Sequence, residues 1–108
     1  MKLRVLGTEY AVSLVPDGKD TRLEGCDGFC DETTKEIVVK QYKRGKPGTK
    51  GKLELQERKN IRHEVIHAFL CESGLAENSS WALEEEMVDW FAKQAPKLID
   101  AWRKAGAL

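Results

Sequence analysis

The sequence is short of several things, and each shortage closes off a class of protein. Its 108 residues make room for one domain with a single modest core. No apolar run approaches the ~20 residues of a membrane helix. The N-terminal Met1-Lys2-Leu3-Arg4-Val5-Leu6-Gly7 meets Thr8 and Glu9 before a signal-peptide core could form. Membrane insertion and secretion are therefore not expected. Cysteine is sparse and odd in number (Cys26, Cys30, Cys71), whereas a disulfide framework in so small a domain wants an even, denser set. Reduced thiols in a cytoplasmic setting are expected. Net charge is also missing: 18 cations balance 18 anions, which argues against a nucleic-acid partner. Histidine is scarce too, with two copies.

The zero net charge hides a division. Residues 1–62 carry 14 Lys/Arg against 10 Asp/Glu, and residues 63–108 carry 4 against 8. In the first part, apolar residues around Gly7-Thr8-Glu9 read as a β-hairpin over 2–6 and 10–15. A second hairpin joins Gly28-Phe29-Cys30 to Glu36-Ile37-Val38-Val39-Lys40. Residues 40–52 then hold six cations, three glycines and Pro47 with no acid. The segment reads as a solvated loop, with a lid or a patch for an anionic partner as the functional alternatives.

The second part is helical. Leu55, Ile61, Val65, Ile66, Phe69 and Leu70 mark a helix over 54–73, with Gly74 to end it. Glu77-Asn78-Ser79-Ser80 offers caps for a second helix, in which Leu83, Met87, Val88, Trp90 and Phe91 are spaced for one buried face. Pro96 either kinks that helix or opens a third, with Leu98, Ile99 and Trp102 as its buried stripe. Strands first and helices afterwards predict an α+β domain with a small antiparallel or mixed sheet.

Both histidines fall in His63-Glu64-Val65-Ile66-His67. Positions i and i+4 share a helix face, so the two imidazoles converge, as in the H-E-x-x-H zinc clamp. Glu64 follows the first ligand and is placed to take a proton from an attacking water and pass it to a leaving amine. Chance placement of this composition yields the motif in roughly 0.2% of arrangements; the bland alternative is a metal-free pair at a cleft edge. A catalytic zinc keeps three protein ligands, and no third histidine exists. Cys71 would crowd the metal along the axis of the same helix, and Cys26 and Cys30 are four apart, a weak pattern; all three read as ordinary thiols. The remaining source is Glu84-Glu85-Glu86. A ligand is helped by an acid that can receive a histidine's other N–H, and Asp89 stands four residues after Glu85. Glu85 is thus the first choice for third ligand and Glu86 the next.

These residues resemble a known group. His63-Glu64-x-x-His67 followed by Glu85-x-x-x-Asp89 is similar to the gluzincin pattern of zinc metallopeptidases. Glu85-Glu86-Met87-Val88-Asp89-Trp90-Phe91-Ala92 resembles the E-x-x-A-N-x-F-A helix of ImmA/IrrE-type metallopeptidases, with Val88 for the alanine and Asp89 for the asparagine. The similarity is closer to small phage and prophage members, and covers roughly residues 25–95. The resemblance implies a minimal zincin-like fold. It makes His63, His67 and Glu85 ligands of Zn2+, Glu64 the general base, and Asp89 the residue that orients a ligand histidine. It implies a sheet edge near Ile37–Lys40 where a substrate peptide adds as a strand, and a protein substrate such as a DNA-binding repressor. Many gluzincins stabilise the oxyanion with His or Tyr; Tyr10 and Tyr42 are the tyrosines here, and Tyr42 is the choice. The expected activity is zinc-dependent peptide hydrolysis. The alternative is a non-catalytic binding protein on the same scaffold, contacting a protein or nucleic acid through the basic loop.

Overall fold

The computed structural model describes residues 1–45 and 51–108. Strands β1 (Lys2–Val5), β2 (Thr8–Pro16), β3 (Gly28–Asp31) and β4 (Glu36–Gln41) precede helices α1 (Leu53–Glu72), α2 (Leu75–Asn78) and α3 (Glu85–Lys104). The result is α+β with a four-stranded mixed sheet. No helix among the described residues is long and apolar enough to cross a membrane.

Both expected hairpins form. In the first, Leu6 and Gly7 take positive φ (48° and 89°), the geometry of a two-residue turn whose twist suits the strands it joins. The sheet order is β1-β2-β4-β3, with β2 and β4 parallel and both outer pairs antiparallel. The strand expected at the edge, Ile37–Lys40, is therefore internal, and the edges are β1 and β3. The composition of β4 explains this: Ile37, Val38 and Val39 are all buried, as suits a strand flanked on both sides.

Helix α1 is packed on two sides. Ile61, Val65 and Ala68 join Val5, Tyr10, Val12, Ile37 and Val39 against the sheet. Ile66 and Leu70 join Ala82, Met87 and Val88 against the segment leading into α3. A helix shared between two layers needs apolar residues on opposite faces, which is why its pattern is broad rather than a single stripe. Gly74, at φ 83°, ends it in the left-handed conformation that glycine adopts freely. Leu55 and Phe69, expected in its buried face, are exposed.

The chain after α1 departs further from expectation. The Glu77–Ser80 segment does not cap α3. It closes α2 and enters a 3-10 turn over Ser80–Leu83, which buries Ala82, and Glu84 is the residue before α3. Nor does Pro96 open a new helix, because α3 runs through it. Proline has no N–H to give the carbonyl of Ala92 four residues back. Arg62 fills that vacancy: its Nε donates to the Ala92 carbonyl at 2.6 Å. Val88 and Ala92 are the buried residues of α3, whereas Leu83, Trp90, Phe91, Ile99 and Trp102 are exposed. The stripe expected to be buried around Leu98, Ile99 and Trp102 is not: Leu98 is half-buried, and Ile99 and Trp102 are exposed.

The start of the basic segment is tied down. Arg44 donates through both terminal nitrogens to the buried Glu57 carboxylate (2.6 and 2.9 Å), which also accepts the Tyr42 N–H at 2.8 Å. Residues 46–50 of the expected lid or patch lie outside the described residues.

Two stability measurements test these contacts. Arg62→Ala leaves the Ala92 carbonyl without its donor and should cost about 1–3 kcal/mol in urea unfolding; unchanged stability would remove Arg62 from that role. Arg44 holds the Glu57 carboxyl below its ordinary range. A depressed carboxyl contributes stability above its unfolded pKa of about 4.3 and loses it as pH falls through the folded value. The stability difference between wild type and Glu57→Gln should accordingly be largest near neutrality and shrink as pH drops below about 4.

Candidate metal centre

Successive residues of a helix are 100° apart, so α1 divides into three stripes. Ile61, Glu64, Val65 and Ala68 point toward the sheet, and Lys59, Arg62, Ile66 and Leu70 toward α3. Asn60, His63, His67 and Cys71 face the notch between the two layers. The opposite wall of that notch is the edge strand β3, and its rim is the first turn of α3.

The notch collects the candidate ligands. His63 Nε2 lies 3.0 Å from one Glu85 oxygen and His67 Nε2 lies 2.8 Å from the other. The two Nε2 atoms are 3.2 Å apart. His63, His67 and Glu85 place one donor atom each within 4.8 Å of one another, and theirs is the group of this kind found among the described residues. Glu85 reaches the imidazoles because it is the first residue of α3, while Glu84, before the helix begins, and Glu86, one step around it, lie outside the group; all three are solvent-exposed.

Asp89 sits one turn along α3. Its Oδ1 is 3.2 Å from His63 Nδ1 and accepts from Lys59 Nζ at 2.8 Å. The Lys59 contact is the chief reason its carboxyl is held below the usual range. An anionic Asp89 favours the proton on Nδ1 and leaves the Nε2 lone pair facing Glu85. Burial lowers the pKa of His67, which favours the neutral, ligating form. Two imidazole nitrogens and a carboxylate oxygen suit a borderline divalent cation such as zinc, and the solvent side of the notch leaves a fourth position open. The residues present fit such an ion.

Glu64 is buried and lines two adjoining cavities of about 300 Å³ each. One holds Gly28, Phe29, Cys30, His63, His67, Cys71 and Glu85; the other holds Asp27, Lys59, Asn60, His63, Glu85 and Asp89. Burial pushes its carboxyl up to about 7, against the opposing pull of His63. The two thiols are raised as well, mainly by burial, to about 11 for Cys30 and about 12 for Cys71. Both line the cleft as neutral thiols, outside the ligand group.

The tyrosines lie elsewhere. Tyr10 is fully buried and donates to Glu72 at 2.7 Å, which serves the core. Tyr42 stands behind the cleft wall: its hydroxyl accepts from Asn60 at 2.8 Å, and burial, with the Asp27 carboxylate nearby, raises it to about 12. Asn60 and Asp27 line the cleft, and Tyr42 supports them from behind.

Three further residues matter that motif spacing did not single out. Gly28 begins the edge strand where a Cβ would come within 3.1 Å of the Val38 carbonyl, 3.2 Å of Val39 and 3.4 Å of the Glu64 Cγ. A glycine inside a strand pattern is the visible trace of such an approach. Lys59 and Asn60 lie four and three residues before His63, one turn along the same side of the helix, which was the available sign for them. Compared with known proteins, the chain matches no protein-family model, no curated protein and no solved structure.

Glu85→Gln should weaken binding of a divalent zinc ion, read by calorimetry, far more than Glu84→Gln or Glu86→Gln. Equal affinity across the three variants would overturn the third-ligand assignment.

Proposed function

We propose that this chain is a zinc-dependent metallopeptidase with a minimal zincin-like fold, similar to ImmA/IrrE-type enzymes. The observation that carries this reading is the buried Glu64 beside a convergent His63–His67–Glu85 set in an open notch. A site that only held a metal for structure would have its fourth position closed and no use for a carboxylate next to the ligands.

His63, His67 and Glu85 hold the metal, and Asp89, steadied by Lys59, fixes the His63 ring. A bound zinc ion supplies Lewis acidity to a water and to a substrate carbonyl. Glu64 accepts the proton of the attacking water. Its raised pKa near 7 suits a group that must then return the proton to the leaving amine. The substrate is an extended peptide lying along β3, whose outer edge has no partner strand among the described residues. Backbone pairing there brings a peptide carbonyl past the histidines, since Gly28, Phe29 and Cys30 share a cavity with them. A DNA-binding repressor is a substrate the resemblance suggests. Tyr42 lines neither cavity; it holds the Asn60 amide, which donates to its hydroxyl, and bears on the oxyanion only by positioning Asn60.

Glu64→Gln should keep zinc affinity and fold while lowering cleavage of a protein-derived peptide library by about 10²–10⁴-fold. Undiminished cleavage would remove Glu64 from the mechanism. A zinc-loaded wild type that binds peptides and cleaves none would favour the non-catalytic scaffold.

A further inference from the structure

We infer that the cavity next to the metal cleft is a specificity subsite, which takes a lysine or arginine side chain of the peptide substrate. The inference rests on the peptidase reading and adds to it the chemistry of a residue close to the bond that is cut. The cavity, of about 520 Å³, is lined by residues 29–33 of the β3–β4 hairpin, by Cys71 near the end of α1, and by Ala76, Glu77 and Leu83. Phe29, Cys30 and Cys71 also line the cavity that holds His63, Glu64, His67 and Glu85. The two spaces therefore adjoin along β3. Strand register shows how a peptide passes from one to the other. The Lys40 N–H donates to the Asp27 carbonyl at 2.8 Å, one pair before Gly28 meets Val39. Alternation along an antiparallel ladder then turns the backbone groups of Phe29 and Asp31 toward β4 and those of Gly28 and Cys30 outward. A substrate strand paired with Gly28 and Cys30 crosses the histidine cavity and continues, at about 3.3 Å per residue, past the second one. A side chain within two positions of the cleaved bond falls there.

The lining selects that side chain. Phe29, Ala76 and Leu83 supply apolar wall, and Asp31, Glu32 and Glu77 supply three carboxylates; no Lys or Arg lines the cavity. None of the three acids is in an ion pair among the described residues. Lys35, the cation of the same hairpin, donates to Glu72 instead. Asp31 is fixed in place: its Oδ1 accepts from the Thr33 N–H, the Thr33 hydroxyl and the Thr34 N–H, while its Oδ2 accepts no hydrogen bond among the described residues. Farther back along β3 the situation differs, because Lys59 already supplies a cation to Asp89. An apolar stem with a cationic end is what Lys and Arg carry, and an acidic side chain would be repelled.

Cleavage of a randomised peptide library by the zinc-loaded wild type, mapped by mass spectrometry, should show Lys or Arg enriched at one fixed position within two residues of the cut. Glu32→Gln with Glu77→Gln should lower kcat/KM for a peptide with Arg at that position by about five- to tenfold and leave its Ala counterpart unchanged. Glu84→Gln with Glu86→Gln removes two acids outside the cavity and should change neither. Asp31 is kept, because it also fixes the hairpin turn. A second readout needs no cleavage: zinc-loaded Glu64→Gln should retain Lys- and Arg-containing members of the same library, and lose that selection when Glu32→Gln and Glu77→Gln are added. Cleavage without a basic preference, or a preference that survives loss of both carboxylates, would overturn the subsite and leave the peptidase reading standing. Basic-selective binding without cleavage would keep the subsite and overturn the peptidase reading. A library that shows no basic selection in either readout would overturn the subsite.

Discussion

Most of this structure depends on α1 being packed from two sides. One stripe of the helix is fixed on the sheet by Ile61, Val65 and Ala68, and another against the approach to α3 by Ile66 and Leu70. The residues left between these stripes can point only into the notch where the layers diverge. Two imidazoles, with a carboxylate beside them, are thereby held in a cleft without any loop having to position them. Rigid placement of this kind is what a metal set requires, because a misplaced donor costs affinity steeply.

The junction of α1 and α3 shows how closely structure and site are joined. Arg62 donates to the carbonyl that Pro96 leaves vacant, and the next residue of α1, His63, reaches Glu85 and Asp89. The Lys59–Asp89 pair lies on the same seam. A contact that lets α3 continue past a proline thus also fixes the helix bearing the third donor. The acidic character of the second half of the chain follows the same logic: Glu64, Glu85 and Asp89 gather where a divalent cation would offset their charge. Lys59 partly offsets it from within the protein.

Much of this was legible from spacing. The i, i+4 rule made His63 and His67 converge, and the same interval along α3 tied Asp89 to Glu85. Two hairpins followed from turn residues and β-branched runs. The errors share a cause. Leu98, Ile99 and Trp102 have the period of a buried stripe, but period says that residues share a face, not that anything covers it. The edge strand was misplaced because strand order depends on pairing between segments far apart in sequence, here the parallel match of β2 with β4. The helix start was set four or more residues early because Ser79 and Ser80 have cap chemistry, while burial of Ala82 diverted the chain into a 3-10 turn.

By itself, then, the sequence determined what local geometry can determine: the elements, the pairing of histidines on one helix face, and the identity of the nearby acids. Tertiary structure decided which acid reaches the histidines, which strand lies at the edge of the cleft, and that a Cβ at Gly28 would crowd the Val38 carbonyl and Val39. The physical reason is range. Helix and turn signals act over a few residues, whereas Glu85 meets His63 across 22 positions and Gly28 meets Glu64 across more, and such contacts exist only once the layers have packed.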